Sequence, residues 1–390
     1  MKPVSIYALA SAVSLASLLG LVPQPAAAED LVVGAAISLT GGLAYADVPA
    51  QKGMQLAIDE INAAGGIGGK YKIDLRLKDS RSDPAQTSIA AQELIDDGAA
   101  VLVTPCDADP SIGAGQMAQA AGVAAFSTCA SSPNLPLAVG DHMFTNFPGD
   151  NVQTTVSAKY AIDSGYKNAY ILLSPDTAYT QLPLYFKAVF EKLGGKVVGE
   201  DNYSMGQQDF SAQVTKIKSL SPAADVIMTG AYEPDFPAFI KQLRAAGITT
   251  PVIGSDGIDS PTTFALGDVA EGVVFSTAGF AAPGSPLEAF NAKYKAATGS
   301  DPDTIYIAIG YDLIKVLEAA VLQADSVDRE KVWQAVRGLE NVQGATSTIT
   351  YKGTDGVPLR QVALVKVVKG GRELVLQAAP DPALVPAPKL

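Results

Sequence analysis

The chain has 390 residues, 48% of them hydrophobic, and a formal charge of −12 carried by 40 acidic and 28 basic side chains. That acidity argues against nucleic acid and anionic membranes as partners, since both repel a negative protein. With one histidine, His142, a histidine-based triad or a multi-histidine metal site has almost no material to work with.

Lys2 gives a short positive segment, residues 4–22 are mostly apolar, and Ala26-Ala27-Ala28 stands before Glu29-Asp30. This is the pattern of a secretory signal peptide covering residues 1–28. The apolar run contains serines and ends at Pro23 and Pro25, which does not suit a membrane anchor. The remaining chain is therefore expected to be soluble and exported. In an oxidising compartment its two cysteines, Cys106 and Cys129, read as one disulfide, with two buried free thiols as the alternative.

Residues 31–37 are a compact apolar run and predict a central strand, which ends in a glycine-bearing turn leading to Tyr45. Met54, Leu56, Ala57, Ile58 and Ile61 follow at helical spacing until the glycines at 65–69 stop the helix. Residues 73–77 alternate as a strand should, and Asp83-Pro84 caps the next helix. Two short apolar runs, 101–103 and 123–126, have the length of buried parallel strands, and each ends in small polar residues. In open α/β sheets ligands bind at such strand ends. Between them Asp109 can cap and Pro110 can open a helix. Cys106 and Cys129 lie just beyond the two strands, which as neighbours are about 5 Å apart and within disulfide reach.

An extended segment at 143–147 and a Gly149-Asp150-Asn151 turn precede a helix over 152–163, and the chain is expected to pass into a second domain here. A second α/β series predicts strands at 169–173, 196–202, 225–229 and 252–255 with helices at 179–193, 210–220 and 234–246. The strand ends carry Tyr232 and Asp256. After a Pro- and Gly-rich segment at 278–286, helical patterns cover 287–297, 304–322 and 332–338. Strands at 348–351 and 359–368, a Gly370-Gly371 hairpin and a frayed tail from Pro380 complete the reading. Two α/β series and a return of helices fit two lobes better than one sheet.

Gly113, Gly115 and Ala118 match a dinucleotide-binding pattern, but they sit inside a helix that has already begun, whereas the glycines belong in the strand-to-helix turn. No cofactor is expected.

The ordered set Leu39-Thr40-Gly41 with Tyr45, Ile61 to Gly69, Asp83-Pro84, Ser127 to Pro133, Gly230 to Pro234, Arg244 to Gly247, Gly254 to Gly257 and Ala270 to Gly272 resembles the periplasmic branched-chain amino acid-binding proteins. The resemblance implies an α/β fold of two Rossmann-like lobes with parallel sheets joined by a three-strand hinge. It places residues 29–148 with 277–356 in the first lobe and 149–276 with 357–390 in the second. It also implies a monomer in the periplasm that closes on an amino acid and hands it to an ABC permease. By position, the ligand's carboxylate would meet Asp107, Ala108, the backbone of Cys129, and Ser131. Its ammonium would meet Tyr232 and Asp256, and Tyr45, Tyr179 and Tyr306 would line the side-chain pocket.

One departure matters. Where the family offers a hydroxyl, this chain has Asp107, and an aspartate repels a carboxylate. Either Asp109 caps its helix while Asp107 points to solvent, or Asp107 faces the cleft. In the second case the ligand lacks a free carboxylate, carries extra positive charge, or binds through Ser131 and backbone N–H groups alone. Two rival functions also fit the pattern: an exported enzyme using Asp107 and Asp256 as an acid–base pair, and a sensory binding module on the same fold.

Overall fold

The computed structural model describes residues 1, 30–369 and 371–388. Residues 2–28 of the expected signal peptide lie outside the described residues, as does Gly370 of the expected hairpin.

The first series runs β1 (Leu31–Ile37), α1 (Ala44–Ala63), β2 (Ile73–Asp79), α2 (Pro84–Asp96), β3 (Val101–Thr104), α3 (Ala108–Ala121), β4 (Ala124–Ser127), α4 (Asn134–Val139) and β5 (Met143–Thr145). Its five strands form a parallel sheet in the order β2-β1-β3-β4-β5. All four residues of β3 and of β4 are buried, which is why these strands read as unbroken apolar runs.

The second series runs α5 (Asp150–Asp163), β6 (Asn168–Leu173), α6 (Pro183–Lys192), β7 (Lys196–Asn202), α7 (Ser211–Ser219), β8 (Val226–Thr229), α8 (Asp235–Ala245), β9 (Val252–Gly254), α9 (Pro261–Phe264) and β10 (Val274–Thr277). The chain then returns to the first lobe with α10 (Pro286–Thr298), α11 (Tyr306–Ala324), α12 (Arg329–Gly338) and the small ribbon β11 (Val342–Gln343) and β12 (Thr348–Ile349). It ends in the second lobe with β13 (Val362–Val368) and β14 (Gly371–Ala378), giving the sheet order β14-β13-β10-β9-β8-β6-β7. Of these strands, β13 and β14 run antiparallel to their neighbours.

In the first lobe α11 packs along α1 over one face of the sheet, where Val33, Ala35, Val103 and Phe126 share a core with Met54, Ile314 and Leu317. Glycines let the two helices touch backbone to backbone. A Cβ on Gly53 would run into the Ile307 carbonyl, and one on Gly310 into that of Ala50.

The chain passes between the lobes three times, behind β5, behind β10 and ahead of β13. A buried polar network sits beside these passages. Arg360 and Asp312, both with fully buried side chains, form an ion pair at 2.7 Å. Arg360 also donates to the Asn146 carbonyl and to Thr346 Oγ1. Asn146 Nδ2 reaches Ile309 O at 3.0 Å, and Tyr351 OH donates to Thr145 O at 2.7 Å.

Four expectations are corrected. Helix α3 begins at Ala108, and its cap is Asp107, whose carboxylate accepts from Asp109 N at 3.2 Å; Asp109 is not the cap. Asp107 is buried and does not point to solvent. The helix expected over 179–193 is broken into a turn of 3₁₀ helix at Tyr179–Gln181 and α6, because Pro183 lacks an N–H and restricts the residue before it. The tail over residues 380–388 is not frayed: Lys192 Nζ donates to Ala383 O at 2.7 Å, Asn151 Nδ2 to Pro386 O at 2.9 Å, and Leu384 packs on the second lobe. No helix among the described residues is long and apolar enough to cross a membrane.

Candidate functional site

The first lobe contributes the carboxyl ends of β3 and β4. A disulfide joins Cys106 to Cys129 across these ends, with Cα atoms 4.5 Å apart. The platform is further fixed by Asp47 of α1, which accepts from Ser38 N at 2.7 Å and Cys106 N at 2.8 Å. Ser127 Oγ donates to Pro105 O at 2.5 Å and accepts from Ala130 N at 3.0 Å, so the two strand ends are also tied side chain to backbone. From this platform project Asp107, at the start of α3, and Ser131, just past the bridge.

The second lobe contributes the ends of β6, β8 and β9. Asp256 opens a short 3₁₀ turn after β9, flanked by Ser255 and Gly257. Tyr179 OH shares a hydrogen bond of 2.5 Å with Ser255 Oγ, accepts from Gly257 N at 2.8 Å and reaches Asp256 Oδ1 at 3.4 Å. Gly257 is required by this approach: a Cβ there would come within 2.6 Å of Tyr232 Cβ and 2.8 Å of the Tyr179 hydroxyl. Across the cleft, Tyr306 at the start of α11 donates to Asp256 O at 3.0 Å.

Four tyrosines meet where the lobes face each other. Tyr45 stacks with Tyr232 at a centroid distance of 6.4 Å and meets Tyr306 edge-on at 6.1 Å, while Tyr179 meets Tyr232 edge-on at 5.4 Å. Phe147, on the first passage between lobes, backs Tyr306 at 6.5 Å. The lobes are in contact around this cluster, since Asp109 Oδ2 accepts from Ala178 N at 3.1 Å.

The electrostatics of the cleft are one-sided. Burial pushes both Asp107 and Asp256 up to about 7, with the charge of Asp109 adding to the effect on Asp107 and that of Asp259 to the effect on Asp256. Asp150, the first residue of α5, is raised well above the carboxylate range, first by burial and then by the charges of Asp256 and Asp107. The Ser131 hydroxyl lies close enough to hold that rise down a little, yet neither it nor Asp150 Oδ1 makes a hydrogen bond of good geometry. Buried acids elsewhere are answered directly: Asp312 by Arg360, Asp259 by Arg372 at 2.6 Å, and Asp47 by two backbone N–H groups. Among the described residues no lysine or arginine pairs with Asp107, Asp150 or Asp256.

Tyr45, Asp107, Ala108, Cys129, Ser131, Tyr179, Tyr232, Asp256 and Tyr306 therefore all lie at the strand ends and helix starts around one interlobe junction. The sequence reading missed Asp150, whose Gly-Asp-Asn context signals only a turn at a helix start. His142 is a loop residue, stacked on Trp333 at 4.2 Å. The glycines of the dinucleotide-like pattern lie within α3, as its capped start requires.

A profile of the periplasmic binding protein family matches residues 30–372. The chain is similar to a Leu/Ile/Val-binding protein, BraC3, of Rhizobium johnstonii, with 29% identity over 345 residues covering 88% of this chain and 93% of that one. It is 25% identical over 329 residues to a leucine-, isoleucine-, valine-, threonine- and alanine-binding protein of Pseudomonas aeruginosa, covering 82% and 86% of the two chains. Among solved structures it resembles the leucine binding protein LivK of Thermotoga maritima, with a TM-score of 0.83, 25% identity and coverage of 90% and 99%.

Proposed function

The chain belongs to the periplasmic binding protein family, and from that premise we propose that it is the solute-binding component of an ABC importer. It holds an amino acid, branched-chain or related, or a similar small polar metabolite between its lobes and delivers it to a membrane permease. The names of its relatives, which bind leucine, isoleucine and valine, support this reading. So does the presence of two separate main sheets, of five and seven strands; in this reading residues 29–148 with 277–356 make one lobe and 149–276 with 357–390 the other. In this reading the protein acts as a monomer in the periplasm after loss of residues 1–28, and it performs no chemistry on what it binds.

The observation that carries the proposal is Asp256. It is a buried carboxyl with no cationic partner among the described residues, reached by the hydroxyls of Tyr179 and Tyr306, which is what a primary ammonium group needs. Tyr45, Tyr179, Tyr232 and Tyr306 shape the pocket beyond it, and Asp107, Ala108, the Cys129 backbone and Ser131 face it from the other lobe. Closure follows when a ligand binds the closed form better than the open one.

The test is calorimetry on the mature protein with leucine, isoleucine and valine, their amides and the corresponding amines, in wild type and Asp256→Asn. A charge-assisted hydrogen bond contributes about 1.5–3 kcal/mol, so Asp256→Asn weakens every bound ligand by about 10- to 150-fold. Binding that is indifferent to this substitution refutes the placement of the ammonium. Ligand recovered chemically altered after incubation refutes the absence of turnover.

A further inference from the structure

We propose that this protein has a second small-molecule site, in a cavity of about 330 Å³ between the seven-stranded sheet and helices α10 and α11, and that it takes an uncharged amide carried on a short apolar chain. The site lies outside the cleft and does not depend on what the cleft holds.

The cavity follows from how the chain leaves its second sheet. Phe275 of β10 and Val365 of β13 pair directly across the antiparallel ladder, so both stand on one face of the sheet and form the floor. Leu287 and Asn291, four residues apart on α10, share one helix face and form the roof together with Ala308 of α11. The passage behind β10 closes one side with Gly279 and Phe280. Arg372, 32% exposed, pairs at 2.6 Å with the buried Asp259 in the same wall. Ligand pockets usually have about 300–1,000 Å³ and apolar walls carrying a few polar groups, which is what these residues make.

Charge selects the class of occupant. Each oxygen of Asp259 already has a donor, Oδ1 from Arg372 Nη1 and Oδ2 from Ile305 N at 3.3 Å, so a cation finds no unanswered carboxylate. An anion fares no better, because Asp259 neutralises Arg372, and Asp303, between the lining residues Pro302 and Thr304, adds a further negative charge. An uncharged group escapes both conflicts. The Arg372 guanidinium makes no other hydrogen bond among the described residues, which leaves donors for a carbonyl. Asn291 is half-buried and has no hydrogen-bond partner among the described residues. Its side chain offers one carbonyl and one NH₂, and an amide answers that pair in either orientation. In the same lining, Thr277 Oγ1 and Thr304 Oγ1 are buried without a partner, a state that buried polar groups seldom keep.

The experiment offers the mature full chain one carbon skeleton in three charge states, 3-methylbutanamide, 3-methylbutanoate and 3-methylbutylammonium, by calorimetry, with acetamide as the probe that lacks the apolar chain. The expected result is binding of 3-methylbutanamide about tenfold or more tighter than of the other three. Asn291→Ala, which suits a helix and so keeps the fold, is expected to weaken the amide about tenfold. Arg372→Lys is the second variant; it keeps a charge for Asp259 but loses the planar fork, and is expected to weaken the amide in the same direction. Binding of the acid or the ammonium as tight as that of the amide overturns the inference. So does amide binding that survives Asn291→Ala and Arg372→Lys but is lost in Asp256→Asn, which would put the probe in the cleft. An amide that does not bind at all overturns it as well, and none of these results touches the solute-binding proposal.

Discussion

Replacing Arg360 with methionine removes the guanidinium that joins the passages between lobes to α11. Both partners of the Arg360–Asp312 pair are fully buried. Taking away one member of such a pair leaves the other charge unanswered, at a cost of about 3–5 kcal/mol. Asp312 still accepts from Ala345 N, Thr346 N and Thr346 Oγ1, which places the expected loss at the lower end, about 3 kcal/mol. At about 2–4 °C per kcal/mol for a domain of this size, the melting temperature falls by about 6–12 °C. The double variant Arg360→Met with Asp312→Leu leaves no charge stranded and is expected to recover most of that loss, since apolar replacements of buried pairs are often neutral. Thermal melts followed by circular dichroism on wild type, both single variants and the double variant form the cycle. The reasoning fails if Arg360→Met costs under about 1 kcal/mol, or if the double variant loses the sum of the two singles.

Two further outcomes follow from the geometry. Because Asp107 and Asp256 hold their protons up to about 7 in the folded state, against about 3.9 in the unfolded chain, they favour folding most at low pH. Their contribution declines as pH rises from about 4 to about 7 and is flat above. The melting temperature of Asp107→Asn or Asp256→Asn should therefore gain on wild type across that range when ligand is absent, and parallel curves would contradict it. In the first lobe, Gly310→Ala forces a methyl group against the Ala50 carbonyl, and separating α1 from α11 should cost about 1–3 kcal/mol in urea denaturation. An unchanged midpoint would show that the helices do not meet as described.

The alternation of strands and helices was legible because the central strands are buried on both faces and stand out as apolar runs between capped helices, Asp83 at 2.8 Å from Gln86 N being one such cap. The start of α3 was misread because Asp107 and Asp109 are both good capping residues. Pro110 settles nothing between them, since a first-turn residue has no intrahelical partner for its N–H in either frame. Asp150 was illegible for a different reason. An aspartate at a helix start is ordinary, and only the approach of two separate sheets buries this one opposite Asp107 and Asp256. The tail was misjudged because proline-rich composition says nothing about two long-range bonds, from Lys192 and Asn151, that hold it down.

That docked tail bears on how the protein is handled. Pro386 lines a surface groove with Ser132 and Asn134 of the first lobe and Ala178 and Gln181 of the second. A reporter attached to the tail at Pro386 sits at this rim, within reach of both halves.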